Sequence, residues 1–238
     1  MAISLNKSVL NSILCLQHLA ASQGAVGVRE MARLLELDTA KVSRLLKTLE
    51  TVGLTQQDAQ RKYSVGPGIQ VLAALSIHSS PFYRAAIEAV ENVAHERFVI
   101  ALGVLWQGRV VYLIHAKPGR AAAQSLGAYE VIPADQSIIG ISLLARQTDD
   151  VITRMIGEER FQAVADDIAQ ARAKTVFTKI YPDGEARMAV CLQEHNASIA
   201  FSRIEGVADG ELDEYKKKIV HLAKAIRQRV NQFKNDAG

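Results

Sequence analysis

The chain has 238 residues, 49 % of them apolar and 22 % charged, ordinary globular usage that excludes disordered, collagenous and coiled-coil classes. Two cysteines, Cys15 and Cys191, are too few for a disulfide scaffold or a zinc site built mainly from thiolates. The net charge of +3 is unevenly placed. Residues 1–66 hold eight basic and five acidic side chains, and the remainder holds 20 of each, so an anionic partner is expected at the first quarter.

The longest apolar run, about Phe98 to Trp106, falls well short of the ~20 residues a membrane helix needs. Asn11, Ser12, Gln17 and His18 interrupt the start where a leader would be apolar. A cytoplasmic protein with no membrane partner is therefore expected, and both cysteines sit in apolar stretches that suit a reducing compartment.

Residues 7–22 place Leu10, Ile13, Leu14, Leu16 and Leu19 at helical spacing, ending before the Gly24–Gly27 loop. Residues 28–35 predict a short second helix with Met31, Leu34 and Leu35 turned inward. Glu36-Leu37-Asp38 is a tight connection, after which Asp38 or Thr39 can cap a third helix over residues 39–52. Val42, Leu45, Leu46 and Leu49 form its buried stripe. Gly53 stops this helix, and two short strands, 54–57 and 62–65, flank the polar tip Asp58-Ala59-Gln60-Arg61. Helix, helix, turn, helix, hairpin is a winged helix-turn-helix.

Gly66-Pro67-Gly68 punctuates the chain. Residues 69–78 predict a linker helix, the natural lever between two halves, and Pro81 opens another helix running to about Glu96. Residues 98–106 and 109–116 predict a β-hairpin turning at Gln107-Gly108. Helices follow over 137–145, 151–156 and 159–173, then strands over 175–180, 187–193 and 197–204, the last two joined at His195-Asn196. An amphipathic helix over 211–233 closes the pattern. The expected fold class is α+β. The divisions are a winged helix-turn-helix over 1–66, a linker helix over 67–80 and an antiparallel-sheet sensor domain over 81–238.

Catalytic signatures are scarce. Gly66-Pro67-Gly68 could begin a dinucleotide fingerprint, but Val71 stands where a third glycine is required and the loop follows a wing strand. Cys191 and His195 resemble a thiol–imidazole pair on paper, yet four residues along a strand span roughly 13 Å. The six histidines show no metal spacing. No enzyme activity, metal or cofactor is expected.

The third helix offers more. A helix of this length is ~20 Å long, and the major groove of ~12 Å admits it. Thr39, Ala40 and Lys41 would enter first, with Ser43 and Arg44 alongside; Arg44 is the candidate for a bidentate guanine contact. Lys41 and Lys47 suit phosphates, and Gln60, Arg61 and Lys62 on the wing tip suit a minor groove or backbone. A second reading stays open: a small-molecule-binding module or enzyme whose N-terminal helices serve dimerisation only.

Val28-Arg-Glu-Met-Ala-Arg-Leu-Leu-Glu-Leu-Asp-Thr-Ala-Lys-Val-Ser-Arg-Leu-Leu-Lys-Thr-Leu-Glu-Thr-Val-Gly53 resembles the winged helix of IclR-type transcriptional regulators. Tyr63-Ser-Val-Gly66 with Leu72 resembles that family's wing-to-linker join. The resemblance implies a homodimer or dimer of dimers on operator DNA, often a repressor, with a GAF-like C-terminal domain that senses a small metabolite, often an organic acid. Pro133-Ala-Asp-Gln-Ser-Ile-Ile-Gly140 is similar to a family segment in which Asp135 replaces a histidine and Ile138 and Ile139 replace small residues.

Residues 181–185 look like a shortened acidic pocket loop containing Asp183, and a frequent pocket cysteine falls near Arg187. Ser202 matches one of two pocket serines, and Ala200 stands at the other. The resemblance therefore implies effector residues among Ile132, Ile138, Ile139, Asp183, Arg187, Cys191, Ala200 and Ser202. Two outcomes stay open. Either a small carboxylate is held by Arg187 and Ser202 among Ile132, Ile138 and Ile139, or the pocket is collapsed and Arg187 is satisfied by Asp183 or Glu185.

Overall fold

The structure is a computed structural model that describes residues 5–93, 97–118, 131–204 and 210–236. Two compact units divide the chain, Met1–Ser79 and Ser80–Gly238.

In the first unit α1 (Lys7–Ala21) is capped by Asn6, whose side chain accepts from the Ser8 and Val9 amides. Its core face is Cys15 and Leu19 with Leu16 beside them; Leu10 and Ile13, part of the same helical spacing, are exposed. The short strand β1 (Val26–Gly27) leads into α2 (Val28–Leu34). Val28, Met31, Ala32 and Leu35 pack inward at the i, i+3, i+4, i+7 spacing of one helix face. Leu34 falls off that face and is exposed, which corrects its expected inward placement.

Glu36 makes the connection in the left-handed region (φ 53°). Asp38 then accepts from the Lys41 amide at 3.0 Å and caps α3 (Thr39–Thr51), with Val42, Leu46 and Leu49 buried. Strands β2 (Thr55–Gln57) and β3 (Lys62–Val65) form the wing, and β1 joins them in the order β1-β3-β2. The buried Thr55 hydroxyl donates to the Leu46 carbonyl at 2.9 Å, fixing the wing to α3. Gly66 lies so close to the end of α3 that a Cβ there would sit 2.3 Å from the Gly53 oxygen. Gly66-Pro67-Gly68 is thus a packing joint between the α3 exit and α4 (Pro67–Ser79).

In the second unit Ser80 caps α5 (Pro81–Glu91). The end expected near Glu96 lies outside the described residues. Strands β4 (Val99–Trp106) and β5 (Arg109–Ala116) turn through Gln107 and Gly108, both at positive φ. Edge strand β6 (Val131–Pro133) and a 3-10 turn lead to α6 (Ile138–Leu144), α7 (Asp149–Ile156) and α8 (Glu158–Ala173). β7 (Phe177–Ile180), β8 (Ala186–Leu192), β9 (Ala197–Ile204) and α9 (Glu211–Asp236) follow. The six strands pair antiparallel in the order β6-β5-β4-β9-β8-β7.

Strand alternation gives the sheet two apolar faces. Ile100, Leu102, Ile114, Met188 and Phe201 meet Ala85, Ala86 and Val90 of α5 and Ile219, Leu222 and Ile226 of α9. The opposite face is small, with Ala101, Ala189 and Ala200, so α6 settles closely on the central strands. Ile139, Leu144, Ile152, Phe161 and Ile168 complete that layer. Gly140 permits the approach, since a Cβ there would lie 2.0 Å from the Ala134 oxygen. Among the described residues no helix is long and apolar enough to cross a membrane.

Candidate nucleic-acid interface and sensor site

The capped start of α3 and its buried stripe dictate what the opposite face presents. Thr39, Ala40, Ser43, Arg44 and Lys47 are exposed, and Lys41 is half-buried. Arg44 is exposed, and its guanidinium has no hydrogen-bond or ion-pair partner among the described residues. Lys47 pairs with Glu50 at 3.1 Å along the helix, an exposed contact worth little.

At the wing tip one Asp58 carboxylate oxygen accepts the Gln60 and Lys62 amides at 2.9 and 2.8 Å. Arg61 takes a left-handed turn (φ 59°), and the Arg61 and Lys62 side chains are exposed. Helix start and wing tip therefore both carry solvent-facing cations on rigid backbone, the pattern needed to position phosphates and read base edges.

The effector candidates are dispersed. Ile132 is half-buried on edge strand β6, four strand spacings or roughly 19 Å from β8, which carries Arg187. Ile138 and Ile139 are buried in the first turn of α6, and Ala200 is buried in the same layer. Ser202 is half-buried near the Arg187 end of the sheet. Cys191 lies at the other end of β8 against Ser198, so it does not join Arg187. Asp183 is exposed and accepts the Glu185 amide at 2.9 Å inside the short β7–β8 turn.

Arg187 is internally satisfied. Its Nε donates to Glu185 Oε1 at 2.8 Å, and its guanidinium lies 4.1 Å from the centre of the Tyr181 ring. Burial alone would raise the Glu185 pKa, but hydrogen bonds from Arg187 and the Arg203 amide, with the Arg187 charge, hold it below its ordinary value.

A cleft of about 110 Å³ opens beside Ile138, lined also by Ser137, Ile141, Phe177, Lys179 and Tyr181. Lys179 is tied there to Asp167 at 2.5 Å, while Asp135 is tied to Arg160. Sequence reasoning missed Lys179 and Asp167, because the strand and helix that bring them together are set by non-local pairing. Cys191 and His195 form no pair: the imidazole stacks on Phe82 with ring centres 4.2 Å apart, and burial lowers its pKa. Among the described residues no cluster of three or more His, Cys, Asp or Glu is placed to hold a metal.

Residues 8–59 match the model of the IclR helix-turn-helix domain. No protein with a curated description matches the sequence. Solved structures share the whole fold at low identity. An IclR family transcriptional regulator from Brucella abortus is 16 % identical, with a TM-score of 0.74 over 94 % of this chain and 93 % of that one. An IclR-type regulator from Alicyclobacillus acidocaldarius is 20 % identical, with a TM-score of 0.63 over 99 % and 100 %. An IclR homolog from Microbacterium hydrocarbonoxydans, solved in complex with 4-hydroxybenzoate, is 15 % identical, with a TM-score of 0.62 over 94 % and 99 %. Residues 8–59 are therefore an IclR helix-turn-helix domain, and the chain as a whole has the fold of IclR-family transcriptional regulators.

Proposed function

We propose that the protein is a cytoplasmic, non-enzymic transcriptional regulator that binds operator DNA as a homodimer, with α3 in the major groove. The observation that carries this reading is the outward face of α3, where the unpaired Arg44 stands beside Thr39, Ala40 and Ser43. In this reading Arg44 contacts a base edge, Lys41 and Lys47 contact phosphates, and Arg61 and Lys62 reach the flanking groove or backbone.

Dimerisation is assigned to α4, which buries none of its residues while Val71, Leu72, Leu75 and Ile77 lie exposed. Burying a large aliphatic side chain is worth about 1.5–3 kcal/mol, so an apolar helix of this kind favours a second copy in water. The second unit is assigned as a small-molecule sensor, supported by the shared fold of the 4-hydroxybenzoate-bound homolog. The internal pairing of Arg187 favours a closed resting state there, because a carboxylate could reach the guanidinium only by displacing Glu185.

Selection of bound fragments from genomic DNA, followed by gel retardation, tests the assignment. Discrete retarded complexes sharing a two-fold related sequence are expected. Absence of any retarded fragment at low salt would overturn it.

A further inference from the structure

A second cleft, of about 350 Å³, lies at the opposite end of the sheet from Arg187, where α6, α8 and β8 all finish. Arg146, Arg172, Lys174 and Arg227 line it from three separate places in the chain, with Cys191 and Glu194 beside them. All three guanidinium groups are fixed by backbone carbonyls. Arg146 donates to the Ala171 carbonyl at 3.0 Å, and Arg172 donates back to Ala145 at 3.4 Å and to Gln147 at 3.0 Å. Arg227 donates to the Cys191 carbonyl at 3.0 Å.

These bonds cap the ends of α6 and α8, but capping does not explain why Lys174 and Arg227 converge on the same hollow. Nor is the charge balanced. Asp149 answers Arg172 and Glu194 answers Arg227, while Arg146 and Lys174 have no carboxylate partner among the described residues. Four cations around one concavity repel one another unless an anion joins them, and guanidinium N–H donors held by backbone lose little freedom when an oxyanion arrives.

We propose that this cleft binds a small oxyanion carrying two or more negative charges, a polycarboxylate or a phosphate ester. The cleft volume lies within the range of metabolite sites, about 300–1,000 Å³. Its position on the second unit makes it a regulatory input distinct from the Ile138 cleft. The regulatory role rests on the proposed function; the binding itself does not.

Calorimetric titration of the full chain at physiological salt with inorganic pyrophosphate and with citrate tests it, with acetate as the monovalent control. One anion per chain is expected for at least one polyvalent probe, and which probe binds separates phosphate from carboxylate chemistry. Lys174→Gln, which breaks no bond in the fold, should weaken binding roughly tenfold, the usual consequence of losing one charge-assisted contact. Arg146→Gln should weaken it at least as much, and Arg154→Gln, on α7 away from the cleft, should leave it unchanged. Binding of neither probe, or equal binding by all three variants, would overturn the proposal. Gel retardation on the same preparations separates the two readings. A chain that binds DNA but neither anion refutes the cleft alone; one that binds the anion through Lys174 but no DNA refutes the regulator alone.

Discussion

Single side chains divide into those that hold the fold and those that the fold holds out. Lys47 belongs to the second group. Its pairing with Glu50 is exposed, so Lys47→Ala should change unfolding free energy by less than about 1 kcal/mol. The same change should weaken DNA binding evenly across sequences and reduce the slope of log affinity against log salt by roughly 1, as loss of one phosphate contact requires. A salt titration of both proteins on one fragment measures this.

Glu185 belongs to the first group. Its pKa is lowered in the fold, so its contribution to stability is complete above the ordinary value of 4.5 and disappears as pH falls through the depressed one. Glu185→Gln should therefore be less stable than the parent near neutral pH, and the gap should close in acid. Denaturant unfolding across that range checks the sign.

At the scale of elements, two glycines set how closely neighbouring segments approach. Gly66→Ala forces a Cβ onto the Gly53 and Thr55 carbonyls, and Gly140→Ala forces one onto Ala134. Each should cost about 1–3 kcal/mol, with the first loss confined to unfolding of the first unit and the second to the second unit. Probes placed separately in the two units would show this selectivity.

Elements with strong local signals were legible in the sequence. Asp38 and the Val42, Leu46, Leu49 repeat place α3 unaided, and Gln107-Gly108 marks the β4–β5 turn. Elements defined by partners were not. β1 is two residues long and exists because it pairs with Lys62 and Tyr63; β6 carries a proline that only an edge strand tolerates. The site followed the same division. The exposed face of α3 is the complement of its own apolar stripe, and Glu185, two residues from Arg187, is a partner the sequence already offers, whereas the meeting of Lys179 with Asp167 depends on non-local packing. The converging cations of the second cleft come from three distant stretches, which no local pattern announces.

For the whole molecule, an excess of three positive charges on the first 66 residues and an apolar, exposed α4 support the proposal of a subunit that works in pairs on an anionic polymer. Replacing Leu72 and Leu75 together by Asp should shift sedimentation toward monomer while leaving each unit folded. In the proposed dimer two half-sites are read together about one helical turn apart or a multiple of it, so DNA affinity should fall in step with dimerisation. In the proposed function α3 reads DNA through Arg44. The most direct measurement of this is an anisotropy titration of the full chain and of Arg44→Ala on a selected fragment and on a shuffled sequence of equal length. The variant should keep its fold, lose about 1–3 kcal/mol on the selected fragment and lose most of its preference over the shuffled one. Equal affinity and equal preference in the two proteins would contradict it.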